Sequence, residues 1–385
     1  MGLIIKLILG IVAGTLIGLY TPDGVIQLLL TFKELFGQLL FFTIPLLILF
    51  FITSGIAGLP QNSGRMLGRT LAISYISTIA AGIFAFVIAS AVVPLLGDVA
   101  NGTQSSSGAL LESFITLKLP PVFDIMTALA LAFIFGLGIA ATRAAQFKQL
   151  SDQGRDIIEL LLGKVIIPLL PFYIAGVFAQ MAAAGTVFDT LKTFGFVLLM
   201  AVILHWVYII AMYTLAGLKA GKNPASLIKN MLPAYVTALG TMSSAATIPV
   251  TLRCTKANQV NEDVANFAVP LCATIHLAGS TITIVSCTVA VMFLHNALEI
   301  PSFFDILPFI LMLGVVMLAA PGVPGGAVMS AIGLLGSMMG FGETAIALMI
   351  ALYMAQDSFG TACNITGDGA IALFVSESAT ANKAD

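Results

Sequence analysis

Charge is what this chain has least of. Only 9% of its 385 residues are charged, as 18 acids and 16 bases, against 59% hydrophobic residues and a mean hydropathy of +1.07. So few charges cannot cover the surface of a water-soluble globule, so the chain reads as one polytopic membrane unit whose obligatory partner is the lipid bilayer. The net charge of -2 says nothing of nucleic acid, and no basic cluster suggests such a partner. Cysteine and histidine are sparse as well. Cys254, Cys272, Cys287 and Cys363 lie in or beside apolar segments, and no Cys/His spacing suits zinc or a disulfide framework. Nothing points to an enzyme or an organic cofactor. A small-residue cleavage site is missing after Lys6, so the first apolar run is expected to span and not to be a removed signal.

What the chain does have is long apolar blocks, six of them before residue 220: 3–20, 26–59, 67–96, 120–142, 157–184 and 191–218. Each is long enough to cross a hydrocarbon core of about 30 Å. With the N-terminus cytoplasmic, the loops after the second, fourth and sixth blocks carry Arg65 and Arg69, then Arg143, Lys148 and Arg155, then Lys219, Lys222 and Lys229. The other side has little beyond Lys118 and Lys192. That positive-inside alternation orients the chain in a plasma membrane with both termini cytoplasmic, Lys383 included. The Gly/Ser/Thr-rich residues 97–118 are expected as an external loop, and Asp124 as a helix-start acid.

The second half does not parse into plain spans. Residues 225–240 run into Thr241-Met242-Ser243-Ser244-Ala245-Ala246-Thr247 and Ile248-Pro249-Val250, with Arg253 and Lys256 close behind. Basic flanks on both sides of a polar kink predict a hairpin that enters and leaves on the cytoplasmic face. A long block at 266–294 is interrupted at His276-Leu277-Ala278-Gly279-Ser280. Residues 306–320 then meet Pro321-Gly322-Val323-Pro324-Gly325-Gly326, which cannot continue a helix, before 327–339, so a second hairpin is expected from the external face. A broken hairpin followed by a polar helix thus occurs twice with opposite orientation, the inverted-repeat pattern of secondary transporters.

The last block holds the polar centre. In a helix, Asp357, Thr361, Asn364 and Asp368 share one narrow stripe, the two acids about 16 Å apart along the axis. Ionised groups at such depth are costly unless they serve a substrate or ion. Asp357 suits a substrate ammonium, and Asp368 suits a small hard cation.

These segments resemble the dicarboxylate/amino acid:cation symporter family, which includes the glutamate transporters. The resemblance covers essentially the whole chain and is sharpest from Ser243 to Asp368. Ser243 to Val250 resembles the first family hairpin tip, Pro270-Leu271-Cys272-Ala273-Thr274-Ile275 the approach to its interrupted seventh helix, Gly322-Val323-Pro324-Gly325 the second tip, and residues 357–368 the eighth helix. The resemblance implies an all-α polytopic fold of eight transmembrane helices plus two re-entrant helical hairpins, an elevator-type transporter in a homotrimer. Hairpin 1 would fall at about 224–256, helix 7 at 262–296, hairpin 2 at 303–340 and helix 8 at 343–376. The static scaffold would take residues 1–66 and 98–156 with part of 157–220, and the moving region 67–97 and 221–385. Substrate-binding residues implied are Asp357, Thr361, Asn364, Ser243, Ser244, Val323 and Gly325. The coupling ion would be Na+, at Asp368 with carbonyls at Cys272, His276 and Asn364.

The departures from that pattern are informative. Members that carry acidic substrates place an arginine at the position of Gly360 or of Met242, to clamp a side-chain carboxylate. Neither is present here, and the pattern is closer to the serine/threonine-transporting branch. Sodium-coupled uptake of small neutral amino acids such as serine, threonine or alanine is therefore expected, with proton- or sodium-coupled transport of acidic amino acids or dicarboxylates as the alternative. The family's Asn-Met-Asp-Gly-Thr is His276-Leu277-Ala278-Gly279-Ser280 here, which implies one or two coupled ions. His276 either carries a proton or is a neutral histidine satisfied by a backbone carbonyl. Tyr75, Ser77 and Thr78 are further candidates for a cation site. An intramembrane aspartyl protease would need its two acids to converge from different helices, and a passive channel would not need two opposed hairpins.

Overall fold

The computed structural model describes residues 3–58, 64–96, 111–295, 298–320, 322 and 324–381; Val323, the early part of the 97–118 loop and Lys383 lie outside them. Every regular element among the described residues is helical. The first half supplies α1 (Leu3–Tyr20), α2 (Asp23–Ala57), α3 (Gly64–Val92), α4 (Ile125–Thr142), α5 (Ala145–Leu161), α6 (Ile167–Ala183) and α7 (Val187–Ala220). A π-helical turn, Leu162–Ile166, joins α5 to α6. It sits just ahead of Pro168, whose missing N–H would otherwise leave a gap in the hydrogen-bond ladder.

Local chemistry sets several boundaries. Asp124 caps α4 through the Thr127 N–H at 2.9 Å, so it is the helix-start acid expected. The Thr127 hydroxyl and that N–H hold its carboxyl below the ordinary carboxylate range. Gly221, at φ 64°, closes α7 in the left-handed region that glycine adopts freely. The side chain of Asn223 then caps α8 (Pro224–Thr241), with Pro224 pre-set for the first turn.

Two folded-back helix pairs lie where the hairpins were expected. α8 turns at Met242, φ 52°, into α9 (Ser244–Ala257). Further on, α12 (Phe303–Met317) turns through the Gly/Pro segment into α13 (Gly326–Met339). Between them, α10 (Glu262–Ile275) and α11 (Ala278–Leu294) form one stretch broken at His276 and Leu277, as the sequence indicates. The last block differs from the single helix expected at 343–376. It is split into α14 (Glu343–Met354) and α15 (Asp357–Ala381), bent by 60°.

Among the described residues, five stretches are long and apolar enough to cross a bilayer: Asp23–Ala57, Met66–Leu96, Ala145–Ala183, Val187–Ala220 and Glu262–Leu294. The bent α14–α15 pair makes a sixth if counted as one span. Eight were expected; α1 and α4 are among the shorter apolar helices that fall below that length.

α1 packs against α6 through a ridge of small residues at four-residue spacing, Gly10, Gly14 and Gly18. A Cβ at Gly14 would lie 2.2 Å from the Ala175 carbonyl oxygen, so only glycine permits this approach. At the centre lie α11 and α15, the former buried almost throughout, which leaves the most polar helix of the chain enclosed by protein.

Candidate functional site

α15 is the axis of the site, with α3, α7, α8, α9, α10 and α11 packed around it. Asp357, Thr361, Asn364 and Asp368 run down it as a stripe, none more than 5% exposed, and neither acid faces bulk solvent. The helix starts at Asp357 although no proline or glycine breaks the chain there. The Gln356 Nε2 donates to the Leu352 carbonyl at 3.1 Å, taking the acceptor that its own backbone N–H would use in a helix. That N–H goes instead to the Tyr353 carbonyl at 2.9 Å, and the chain bends.

The hairpin tips, the α10–α11 break and the stripe together line a pocket whose walls include Met242, Ser244, Tyr353, Asp357, Thr361 and Asn364. The free space there is about 10 Å³, room for about one water molecule. Tyr353, one turn before Asp357, was missed in the sequence reading; its spacing of four residues was the available signal.

Each expected contact has a definite place. One Asp357 oxygen, Oδ2, accepts the Gly325 N–H at 2.7 Å. Gly325 holds φ +76°, and a Cβ there would meet the Met354 Sδ at 2.8 Å, so the residue is fixed as glycine by both backbone and space. Its amide is engaged with the acid and does not point into the pocket as a free donor. Ser243 caps α9 through the Ala246 N–H at 3.3 Å, and its hydroxyl donates to the Gly322 carbonyl at 2.9 Å. It bolts one hairpin tip to the other, while its neighbour Ser244 lines the pocket. Val323 lies outside the described residues.

Asn364 is a staple across the helix break. Its Oδ1 accepts the N–H groups of Gly279 at 2.8 Å and Ser280 at 3.2 Å, and its Nδ2 donates to the Ser280 hydroxyl at 2.9 Å. An amide nitrogen has two N–H groups, so one is left over on a residue that lines the pocket. In an unbroken helix those two backbone donors would reach the carbonyls of Ile275 and His276, which are left without them.

Deeper along α15, the His276 Nδ1 meets Asp368 Oδ1 at 2.9 Å, and its Nε2 meets the Ser77 hydroxyl at 3.0 Å. The expectation of a histidine satisfied by a backbone carbonyl is therefore corrected: a carboxylate and a hydroxyl hold the ring. Ser77 is itself bonded to the Tyr208 hydroxyl at 2.9 Å. Thr78 and Tyr75 turn elsewhere, to the carbonyls of Ser74 and Leu311. Asp368 Oδ2 has no hydrogen-bond partner although the residue is fully buried. A buried carboxylate oxygen without a partner is a hard donor of the kind a small cation takes. Cys272 is buried close by, its Sγ 3.6 Å from the Ser74 hydroxyl and its carbonyl accepting the His276 N–H at 2.8 Å.

Met242 and Gly360, where an arginine would serve an acidic substrate, offer none. Met242 lines the pocket as an apolar side chain. Gly360 is pressed against α11, where a Cβ would meet the Thr283 hydroxyl at 3.3 Å and the Ser280 nitrogen at 3.4 Å.

The profile of the sodium:dicarboxylate symporter family matches residues 3–378. The serine/threonine transporter SstT of Streptococcus suis (strain 05ZYH33) is 33% identical over 303 residues, covering 75% of this chain and 83% of that protein. The serine/threonine transporter SstT of Acinetobacter baumannii (strain ATCC 17978) is 28% identical over 391 residues, covering 96% and 94%. With that profile running from α1 into α15, through both hairpins and the broken helix between them, the chain belongs to the sodium:dicarboxylate symporter family.

Proposed function

We propose that the protein is a sodium-coupled symporter of small neutral amino acids of the serine, threonine and alanine kind. The observation that carries this is a small pocket holding one carboxylate, Asp357, and no cationic side chain among its described walls. A zwitterion places its ammonium on that acid, whereas a dicarboxylic amino acid would bury a second carboxylate without a partner, at a cost of several kcal/mol. The names of the relatives agree with this substrate class.

Asp357 keeps Oδ1 for the ammonium while Oδ2 holds hairpin 2 through Gly325, so amine binding and closure of that hairpin act on one carboxylate. The free N–H of Asn364, Ser244 and the backbone at Val323 receive the α-carboxylate, and Thr361 meets the substrate side chain. Na+ binds at Asp368 with carbonyls from Cys272, His276 and Asn364. The tie of the His276 ring to Ser77 and Asp368 supports a small number of coupled ions, one or two. Eight spans, counting α5–α6, α10–α11 and α14–α15 as one each, plus two re-entrant hairpins give the membrane topology. The region of residues 67–97 and 221–385 slides against the remainder in each protomer of a trimer, with both termini cytoplasmic.

Purified protein in liposomes tests the substrate and the ion together. Serine accumulates under an inward sodium gradient and aspartate does not. Preferential accumulation of aspartate, or equal serine uptake without sodium, overturns the proposal.

A further inference from the structure

A second and larger cavity, about 540 Å³ and open on one side, lies outside the hairpin tips. Its walls come from the C-terminal end of α2, from α5, from α10 and from both tips, and they include Ser54, Arg155, Glu159, Ser243, Thr274 and Gly322. Gly322 lines this cavity and the inner pocket alike, and the Ser243–Gly322 hydrogen bond closes the wall between them. A ligand leaving or approaching the inner pocket between the tips passes through this space.

Among its lining residues only Arg155 and Glu159 are charged. They stand four residues apart on α5, so their Cβ atoms are ~5–6 Å from each other on one face. Arg155 is anchored at its inner edge: Nε and one terminal nitrogen donate to Asp156, at 3.2 and 2.8 Å, and the other terminal nitrogen donates to the Ser54 hydroxyl at 3.2 Å. A guanidinium has five N–H donors, so one remains on each terminal nitrogen, the fork that fits a carboxylate. Glu159 is exposed and its carboxylate has no hydrogen bond or ion pair among the described residues, which leaves it an acceptor for an ammonium.

We infer that Arg155 and Glu159 form a vestibular site for the zwitterionic form of the transported amino acid, α-carboxylate on Arg155 and α-ammonium on Glu159. The site rests on the amino-acid transport proposed above. It holds the substrate loosely in front of the hairpin tips, raising its local concentration there and disfavouring solutes of a single charge. In the orientation given by the basic loops the cavity faces the cytoplasm, so the site serves release and exchange.

The test is serine–serine exchange in proteoliposomes, with the half-saturation constant read for serine on the face to which the cavity opens. Sodium is held fixed, and ionic strength is varied with choline chloride. Arg155→Gln and Glu159→Gln each raise that constant roughly two- to fivefold, the range of partly solvated charge pairs. Arg155→Lys recovers most of the loss, and the difference fades at ~1 M salt, where the screening length falls to about 3 Å. Lys192→Gln, which removes an exposed charge of α7 outside the cavity, causes no such rise. The inference is overturned if neither neutralisation moves the constant, if the shift survives high salt, or if Lys192→Gln shifts it equally. Failure of the unaltered protein to exchange serine at all would overturn the proposed function itself, so the two failures are distinguishable.

Discussion

Gly279→Ala is the perturbation whose consequence can be worked most directly from the coordinates. The new Cβ would lie 2.4 Å from the Gly360 carbonyl oxygen and 2.5 Å from the Cys363 Cβ, against 3.4 Å for ordinary contact, so α11 and α15 must part by about 1 Å. Both obstacles belong to α15, one of them to its backbone, and no flexible side chain can swing aside. Overpacking of this kind costs about 1–3 kcal/mol. The same movement stretches the 2.8 Å bond from the Gly279 N–H to Asn364 beyond hydrogen-bonding range, which costs about another 1 kcal/mol. Because that bond orients the Asn364 amide in the pocket, serine affinity falls by roughly tenfold, alongside a lower melting temperature. Binding measured by calorimetry on detergent-solubilised protein, paired with thermal unfolding, reads both effects. A Gly279→Ala protein with unaltered serine affinity and stability would refute the close approach of α11 to α15 and the role given to Asn364.

The remaining predictions separate the parts of the site. Asp357→Asn abolishes serine binding and spares sodium binding, and Asp368→Asn weakens sodium binding first; ion and amino acid titrations on each variant check this, and loss of both ligands in both variants would deny the acids separate roles. Ser243→Ala removes the helix cap and the bond to Gly322, together about 1–2 kcal/mol, so the tips part roughly 5–30 times more often. Leu277→Cys, in the inner pocket, reports this as faster thiol modification over a low background, because all four native cysteines are buried. Gly14→Ala places a Cβ 2.2 Å from the Ala175 carbonyl and lowers stability by about 1–3 kcal/mol without changing sodium affinity, measured by thermal unfolding and ion titration.

Much of this protein was set by residue order alone, because the causes are local. Long apolar runs fix where helices lie, and the Pro/Gly segment at 321–326 and the serine-rich residues at 241–247 fix where the hairpins turn. The period of the helix aligns Asp357, Thr361, Asn364 and Asp368 on one face of α15. The break before Asp357 was not readable, since a glutamine side chain makes it by capping the Leu352 carbonyl. Only the tertiary structure decided how the polar groups meet. His276 grips Asp368 across 92 residues, Asn364 staples an amide pair 85 and 84 residues away, and Ser243 reaches Gly322 across 79. Pairings of that kind depend on which helix faces are pressed together once the apolar surfaces are satisfied. A single strand of residues records the pattern along each helix but not its neighbour.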